Sequence, residues 1–506
     1  MRLNIAALLW LLPALPSPAL AARNYDVRDF GARADFQTND GPAIQAAIDA
    51  CHKAGGGTVV VSAGRYLSGT IELRTNVTLH LEPGATIFGS RNREHYQGSK
   101  AHGANRGHLL VADNVENIGV TGQGTLNGQA EEDFGKRWGA SGDDSRFRNG
   151  IILFTGARNV TLRDFTIRFS DFWTLHLKDC DTVTIDAVKI LNNVRHLNSD
   201  GIDLTSCRNV HITNCHLVAG DDTIDPKTQD GKPTENVVVA NCTLETTTTG
   251  IKLGTASDGD FRNLHFSNIT IKAPTGIGFY MKDGGTAENI TFSNIVIENP
   301  PATYRVATPL FIDIEKRHAN SRLSHIRDIS FRDIFIRGGS GILIQGMPES
   351  RIENLLIENL NFRVTAPDSY QKRSKPVGGA RTTKDERDTR YIQMPSYFAV
   401  AYVDGLYLDK IRIVQSEEAR AKYERSAMVI HESRQVTVRG VESTPPRGQL
   451  GLPVIGLHNV DGALIGDSVA LAGTGTFVEV TGARSGDVVV TGGRLGMAVT
   501  PKKETR

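Results

Sequence analysis

"NVHITNCHLVAGDDTIDPKTQDGKPTENVVVANCTL", residues 209–244, states one pattern twice: "NVHITNCHL" starts at Asn209 and "NVVVANCTL" at Asn236. Apolar and polar residues alternate in both, so every second side chain of an extended strand points into one interior. The unit recurs upstream as "NVTLRDFTI" from Asn159 and "TVTIDAVKI" from Thr182. Downstream it returns from Asn263, Asn289, Asp328 and Asn354. From Asn159 to Asn289 the starting positions advance by 23, 27, 27, 27 and 26, and weaker copies such as "VTLHLEPGATI" and "IGVTGQGTL" precede them.

A unit this short, with two or three strands and no helix, has no second layer to cover its apolar face, so it folds only when stacked on its neighbours. Stacking at strand spacing gives an all-β solenoid, a parallel β-helix with a column of Ile, Val, Leu and Phe inside. A β-propeller repeat needs about 40–45 residues, which the period excludes. The 51 glycines and only 7% aromatic residues suit such a turn-rich architecture.

"NDGPAIQAAIDACHKAGGG", residues 39–57, carries a helical pattern: Asp40 as N-cap, Ile44 and Ile48 on one face, Gly55 as the stop. The glycine run lacks the Lys-Ser/Thr of a phosphate loop and a strand follows it, so this is a short helix capping the open end of the column. Residues 1–21 read as a signal peptide: Arg2, an apolar run broken by Pro13, Pro16 and Pro18, and Ala19-x-Ala21. The expected product is exported, periplasmic or secreted, with no later segment apolar enough to span a membrane. The expected layout is a β-helix catalytic domain over 22–450, a long charged loop at 366–398 that interrupts it, and an irregular Gly-rich end over 451–506. With 57 basic against 56 acidic residues, nothing points to nucleic acid. Cys180 and Cys207, like Cys215 and Cys242, are separated by the same interval as Asn209 and Asn236. They are expected as free, stacked, buried thiols, although strands about 4.8 Å apart leave a disulfide open.

The chemistry is expected at Asp200, Asp221 and Asp222. Asp200 precedes the other two by slightly less than one coil, so stacking brings three carboxylates onto neighbouring rungs of one face. Gly220 is expected to bend the backbone so that consecutive aspartates reach the same side. Crowded like charges raise at least one pKa, leaving an acid beside a base. Glycoside hydrolysis uses such a pair, with roughly 6.5–9.5 Å between the carboxyls for inversion. Asp203 and Asp225 read as ordinary turn aspartates that satisfy backbone amides.

At these residues the sequence resembles the polygalacturonase family, glycoside hydrolase family 28. Asn198-Ser199-Asp200-Gly201 is similar to its Asn-Thr-Asp motif, and Gly220-Asp221-Asp222 to its Gly/Gln-Asp-Asp motif. "YDVRDFGARADFQTNDGPAIQAAIDAC" from Tyr25 and "GQGTLNG" at 122–128 extend the resemblance. It implies a right-handed β-helix cleaving galacturonosyl bonds of pectin with inversion, Asp221 being the general acid and Asp200 and Asp222 the bases that activate water. Two motifs depart from the pattern. Thr248-Thr249-Gly250 stands where Gly-His-Gly is usual, and Tyr280-Met281-Lys282 where Arg-Ile-Lys is usual.

Asp222, Lys252 and Lys282 are evenly spaced along the chain, which predicts a column along one face with both lysines binding a sugar carboxylate. Asn198, Thr249 and Tyr280 complete the expected substrate site, with a pectic polysaccharide or oligosaccharide as partner. No cofactor is expected, and no His/Cys/Asp set has metal-ligand spacing. Two alternatives remain at this stage. A pectate-type β-helix lyase would use the three aspartates to hold calcium, and a non-catalytic polysaccharide-binding β-helix would have no need of them.

Overall fold

The computed structural model describes residues 24–97, 102, 106–131, 148–300, 308–339, 341–365, 395–422 and 424–505. The signal segment 1–21 lies outside these, as does the expected loop up to residue 394. A strand, Ser396–Ala401, begins within that loop's expected span.

Strands of successive coils pair in parallel, in sheets of 25 and 15 strands among the described residues. The register reproduces the sequence period: Val160 faces Val183, then Val210, Val237, Leu264 and Ile290 in turn. Ile290 next faces Ile329, a longer step than any from Val160 to Ile290, and Ile329 faces Leu355. The coils therefore tolerate insertions at the turns while the inward residues keep their places.

The interior is a continuous apolar column. Phe266, Phe292 and Phe331 stack nearly parallel within it, their centroids 4.8 Å apart at each step. All five cysteines are buried and free. The helix Gly41–Lys53 covers the start of the column with Ile44, Ala47, Ile48 and Cys51. Asp40 is at its N-cap position, but the carboxylate accepts from the amides of Arg33 and Ala34 instead of the helix.

The asparagines that open the repeats have a structural reason. Asn209, Asn236, Asn263 and Asn289 all adopt left-handed backbone, which Asn tolerates better than most residues. The side-chain amide of each of the last three donates to the corresponding side chain one coil earlier: Asn236 to Asn209 at 3.1 Å, Asn263 to Asn236 at 2.9 Å and Asn289 to Asn263 at 3.4 Å.

The irregular end expected beyond 450 is corrected. Strands Ile455–His458, Asp461–Gly466, Thr476–Thr481, Gly486–Thr491 and Thr500–Thr505 continue the parallel ladders. Glycines such as Gly473, Gly482, Gly492 and Gly493 lie between these strands, while the alternation that builds the strands persists.

Candidate active site

The 15-stranded sheet takes one strand per coil, so side chains from neighbouring coils form rows on its outer face. Ile202 faces Ile224. That short coil puts Asp200 beside Asp222, and the Gly201 amide donates to the Asp222 carbonyl at 2.9 Å. Asp221 and Asp222 occupy the bend before strand Ile224–Lys227. There the strict two-face alternation does not apply, and both carboxylates come to the same cluster. Gly220 is needed for close approach: a Cβ on it would lie 2.1 Å from the His196 carbonyl oxygen.

Asp200, Asp221 and Asp222 are all nearly buried, and one oxygen of each lies within 4.8 Å of the others. The same holds for Asp200, Asp203 and Asp225. Such spacing would also suit a shared cation, but two ammonium groups already lie among these carboxylates. Lys227 Nζ is 2.8 Å from Asp203 Oδ1 and also contacts Asp225. Lys252 Nζ is 2.6 Å from Asp222 Oδ2 and 3.2 Å from Asp225 Oδ2.

Asp203 and Asp225 are thus corrected from turn residues to buried members of an acid–lysine cluster. They face each other on paired strands Ile202–Thr205 and Ile224–Lys227, where no backbone amide needs them.

Burial, reinforced by Asp203 and Asp221 and opposed by Lys227, holds the Asp200 carboxyl well above the usual range. Asp203 is pushed up to about 7 by burial against the pull of Lys227. Asp225 is raised by burial, with Lys227 and Lys252 opposing. Burial alone would lower the Lys252 ammonium, but Asp222, Asp225 and Asp221 outweigh it and keep the group firmly protonated.

The expected substrate residues divide. Asn198 has left-handed backbone, and its Oδ1 accepts from Arg148 Nη1 at 3.0 Å. Arg148 also donates to the carbonyls of Leu197 and Asp171, and Asp171 Oδ1 lies 2.6 Å from His196 Nε2. This network fixes the turn leading to Asp200. Thr249 is buried, and its hydroxyl has no hydrogen-bond partner among the described residues. Tyr280 is buried too, its ring folded back over Gly278 and packed on Phe311 at 4.9 Å between centroids. A Cβ at Gly278 would meet that ring at 2.7 Å.

The predicted column of Asp222, Lys252 and Lys282 is corrected at its last member. Lys252 faces Gly278, because this coil is shorter than the interval from Lys252 to Lys282. Lys282 therefore lies past that rung, buried and ion-paired with Glu315. Lys252 does reach Asp222, through the length of its side chain.

Several groups escaped the sequence reading. Lys227 could have been found, since it shares a strand face with Asp225, and the interval from Asp203 to Asp225 repeats that from Asp200 to Asp222. Arg148 and Asp171 lie outside any motif and carried no signal. Neither did a histidine cluster beside the site. His102 Nε2 is 2.9 Å from His176 Nδ1, and burial lowers His102 to about 4 and His108 to about 3, so these two imidazoles are neutral near pH 7. Trp173 packs edge-on to His176, and its ring lies 4.7 Å from Lys227 Nζ.

The family model described as Glycosyl hydrolases family 28 matches residues 51–371. A probable polygalacturonase of Vitis vinifera is 27% identical over 314 residues, covering 54% of this chain and 62% of that protein. An endo-polygalacturonase of Pectobacterium carotovorum subsp. carotovorum is 23% identical over 359 residues, covering 66% and 86%. The chain therefore spans less than two thirds of the first relative and most of the second. The crystal structure of a hyperthermoactive exopolygalacturonase from Thermotoga maritima superposes with a TM-score of 0.58 at 24% identity, covering 69% of this chain and 89% of that one. At that identity the likeness is one of fold.

Proposed function

The chain belongs to glycosyl hydrolases family 28, and from that premise we propose that it is an exported, polygalacturonase-like O-glycosyl hydrolase acting on galacturonic-acid-containing pectic polysaccharides or oligosaccharides. The observation that carries this reading is the convergence of Asp200, Asp221 and Asp222, one oxygen of each within 4.8 Å of the others. Asp221 protonates the glycosidic oxygen as the anomeric C–O bond breaks. Asp222, held ionised beside Lys252, takes the proton of the attacking water, and Asp200 helps to orient that water. Oxygens within 4.8 Å can both accept from one water at about 2.8 Å each, leaving the third carboxyl as acid, and the resemblance of the two aspartate motifs to an inverting family supports inversion.

Thr249 and Tyr280 stand where a histidine and an arginine are usual, and Lys252 and Lys282, expected to grip a uronate, are ion-paired inside the protein. With fewer cations open to a uronate, the site favours rhamnose-containing pectic regions or short oligomers over long unsubstituted polygalacturonate. The commitment of Asp203, Asp222 and Asp225 to ammonium groups favours hydrolysis over calcium-dependent elimination.

One experiment tests the reading: initial rates on polygalacturonate, rhamnogalacturonan and their oligomers, with proton NMR of the first product. The expected outcome is an inverted anomer, and Asp221→Asn lowers turnover at least about a hundredfold. A retained anomer, or an unsaturated product, overturns it.

A further inference from the structure

Thr248 Oγ1 lies 3.1 Å from Asp221 Oδ1 and 3.0 Å from Asp222 Oδ1. A hydroxyl carries one proton. It can donate to only one of these aspartates, and the second contact is a hydrogen bond only if the other aspartate is protonated and donates to the hydroxyl. Thr246 Oγ1 also lies 3.5 Å from Thr248 Oγ1, at the long limit of a hydrogen bond, while its own hydroxyl donates to the Asp221 carbonyl, so the two shorter contacts to aspartate dominate at Thr248.

Lys252 breaks the symmetry. Its Nζ is 2.6 Å from Asp222 Oδ2, and an ammonium at that range favours the carboxylate form. Asp222 is then the anion that receives the Thr248 proton, and Asp221 is the acid that donates to Thr248. The charged surroundings come from three coils: Asp200 and Asp203 before, Asp225 and Lys227 on the strand that follows the pair, and Lys252 after.

We propose that Lys252 and Thr248 are positioning residues that place the proton shared between Asp221 and Asp222 on Asp221, in the order Lys252, Asp222, Thr248, Asp221. The inference deepens the hydrolase reading and rests on it for its catalytic consequence. In turnover the Asp221 proton goes to the glycosidic oxygen, and the proton of the attacking water goes to Asp222. Thr248 then passes its own proton to Asp221 while taking the one on Asp222, so the acid is restored without exchange with solvent. Lys252 drives that return by favouring ionised Asp222. The role differs from the sugar-carboxylate contact expected of Lys252 from sequence, because its ammonium is already held by Asp222 and Asp225.

The test is a titration of carboxyl carbons by NMR on substrate-free, carbon-13 aspartate-labelled protein, assigned with single Asp→Asn variants. In the wild type Asp221 keeps its proton to higher pH than Asp222, and the reverse order overturns the proposal. Thr248→Val narrows the gap and Lys252→Met closes or inverts it; an unchanged gap in both overturns it as well. In kinetics Thr248→Val lowers kcat at least about tenfold, leaves KM within about twofold and moves the high-pH limb of kcat/KM downward, while Thr248→Ser recovers most of the loss. A raised KM with kcat intact would make these residues substrate contacts and overturn the proposal. If the wild type hydrolyses no pectic substrate, the functional reading falls, while the titration still decides the proton's position. If Thr248→Val does not fold, the wild-type order of titration decides alone.

Discussion

Asp203 shows what burial does to a single carboxyl here. Its pKa of about 7 in the folded protein compares with about 3.9 for an unperturbed aspartate. Between those values the folded state binds more protons than the unfolded one, so the contribution of this group to stability is fully present below about pH 4 and declines as pH rises to about 7. Asp203→Asn removes that dependence. Urea midpoints measured from pH 4 to 7 are expected to fall less steeply in the variant than in the wild type, though not to become flat, since Asp200 and Asp225 shift in the same direction. Identical slopes would mean that Lys227 keeps Asp203 ionised throughout. The position also marks the limit of reading residues one at a time. The convergence of Asp200, Asp221 and Asp222 was legible because two motifs and a near-coil spacing point at them. Asp203 and Asp225 were misjudged because each was read against its own turn, although Lys227 on the same strand face as Asp225 and the repeated interval from Asp203 to Asp225 pointed to a buried cluster.

At the scale of the element, the asparagine ladder joins local backbone to the repeat. Asn236 has φ near 56°, donates to Asn209 and accepts from Asn263. Replacing it with alanine puts a residue without a local hydrogen-bonding side chain into left-handed backbone, which costs about 1–2 kcal/mol. It also loses two exposed hydrogen bonds of small net worth. Asn236→Ala is therefore expected to destabilise by about 2 kcal/mol, while Asn236→Gly, which accepts the backbone but not the ladder, loses less. Equal losses in chemical denaturation would show that the side-chain ladder, not the left-handed turn, is what matters. The repeat was legible because this turn demands a restricted set of residues at a fixed phase, and inward alternation follows it. The long step from Ile290 to Ile329 was legible for the same reason, since an insertion at a turn leaves the pattern of either neighbour intact. The coils beyond residue 450 were missed because glycines that serve their turns resemble the glycines of a structureless end.

The whole molecule is a stack in which each coil touches its neighbours and little else, so stability is close to a sum of coil and interface contributions. The carboxylate cluster depends on that arrangement, because Asp200, Asp222 and Lys252 come from three coils and are placed only by stacking. Phe292 lies in the middle of the aromatic column, between Phe266 and Phe331, with the ring planes within 7° of parallel. Truncating it leaves a void that rigid parallel coils cannot collapse around, and the expected cost of Phe292→Ala is about 3–5 kcal/mol. In a conventional single core that loss would lower protection everywhere. In a one-dimensional stack it falls mainly on the two interfaces that the ring shares. Hydrogen exchange is expected to quicken most in strands Phe261–Lys272, Thr286–Asn299 and His325–Gly338, and little in Thr476–Thr481 and Gly486–Thr491 near the far end. The cluster is built from coils on the N-terminal side of the lesion, so its geometry should survive under native conditions, with turnover reduced far less than by Asp221→Asn. Uniform loss of protection along the chain would show that the solenoid unfolds as one cooperative unit, and turnover would then fall with the folded fraction instead of with distance from the missing ring.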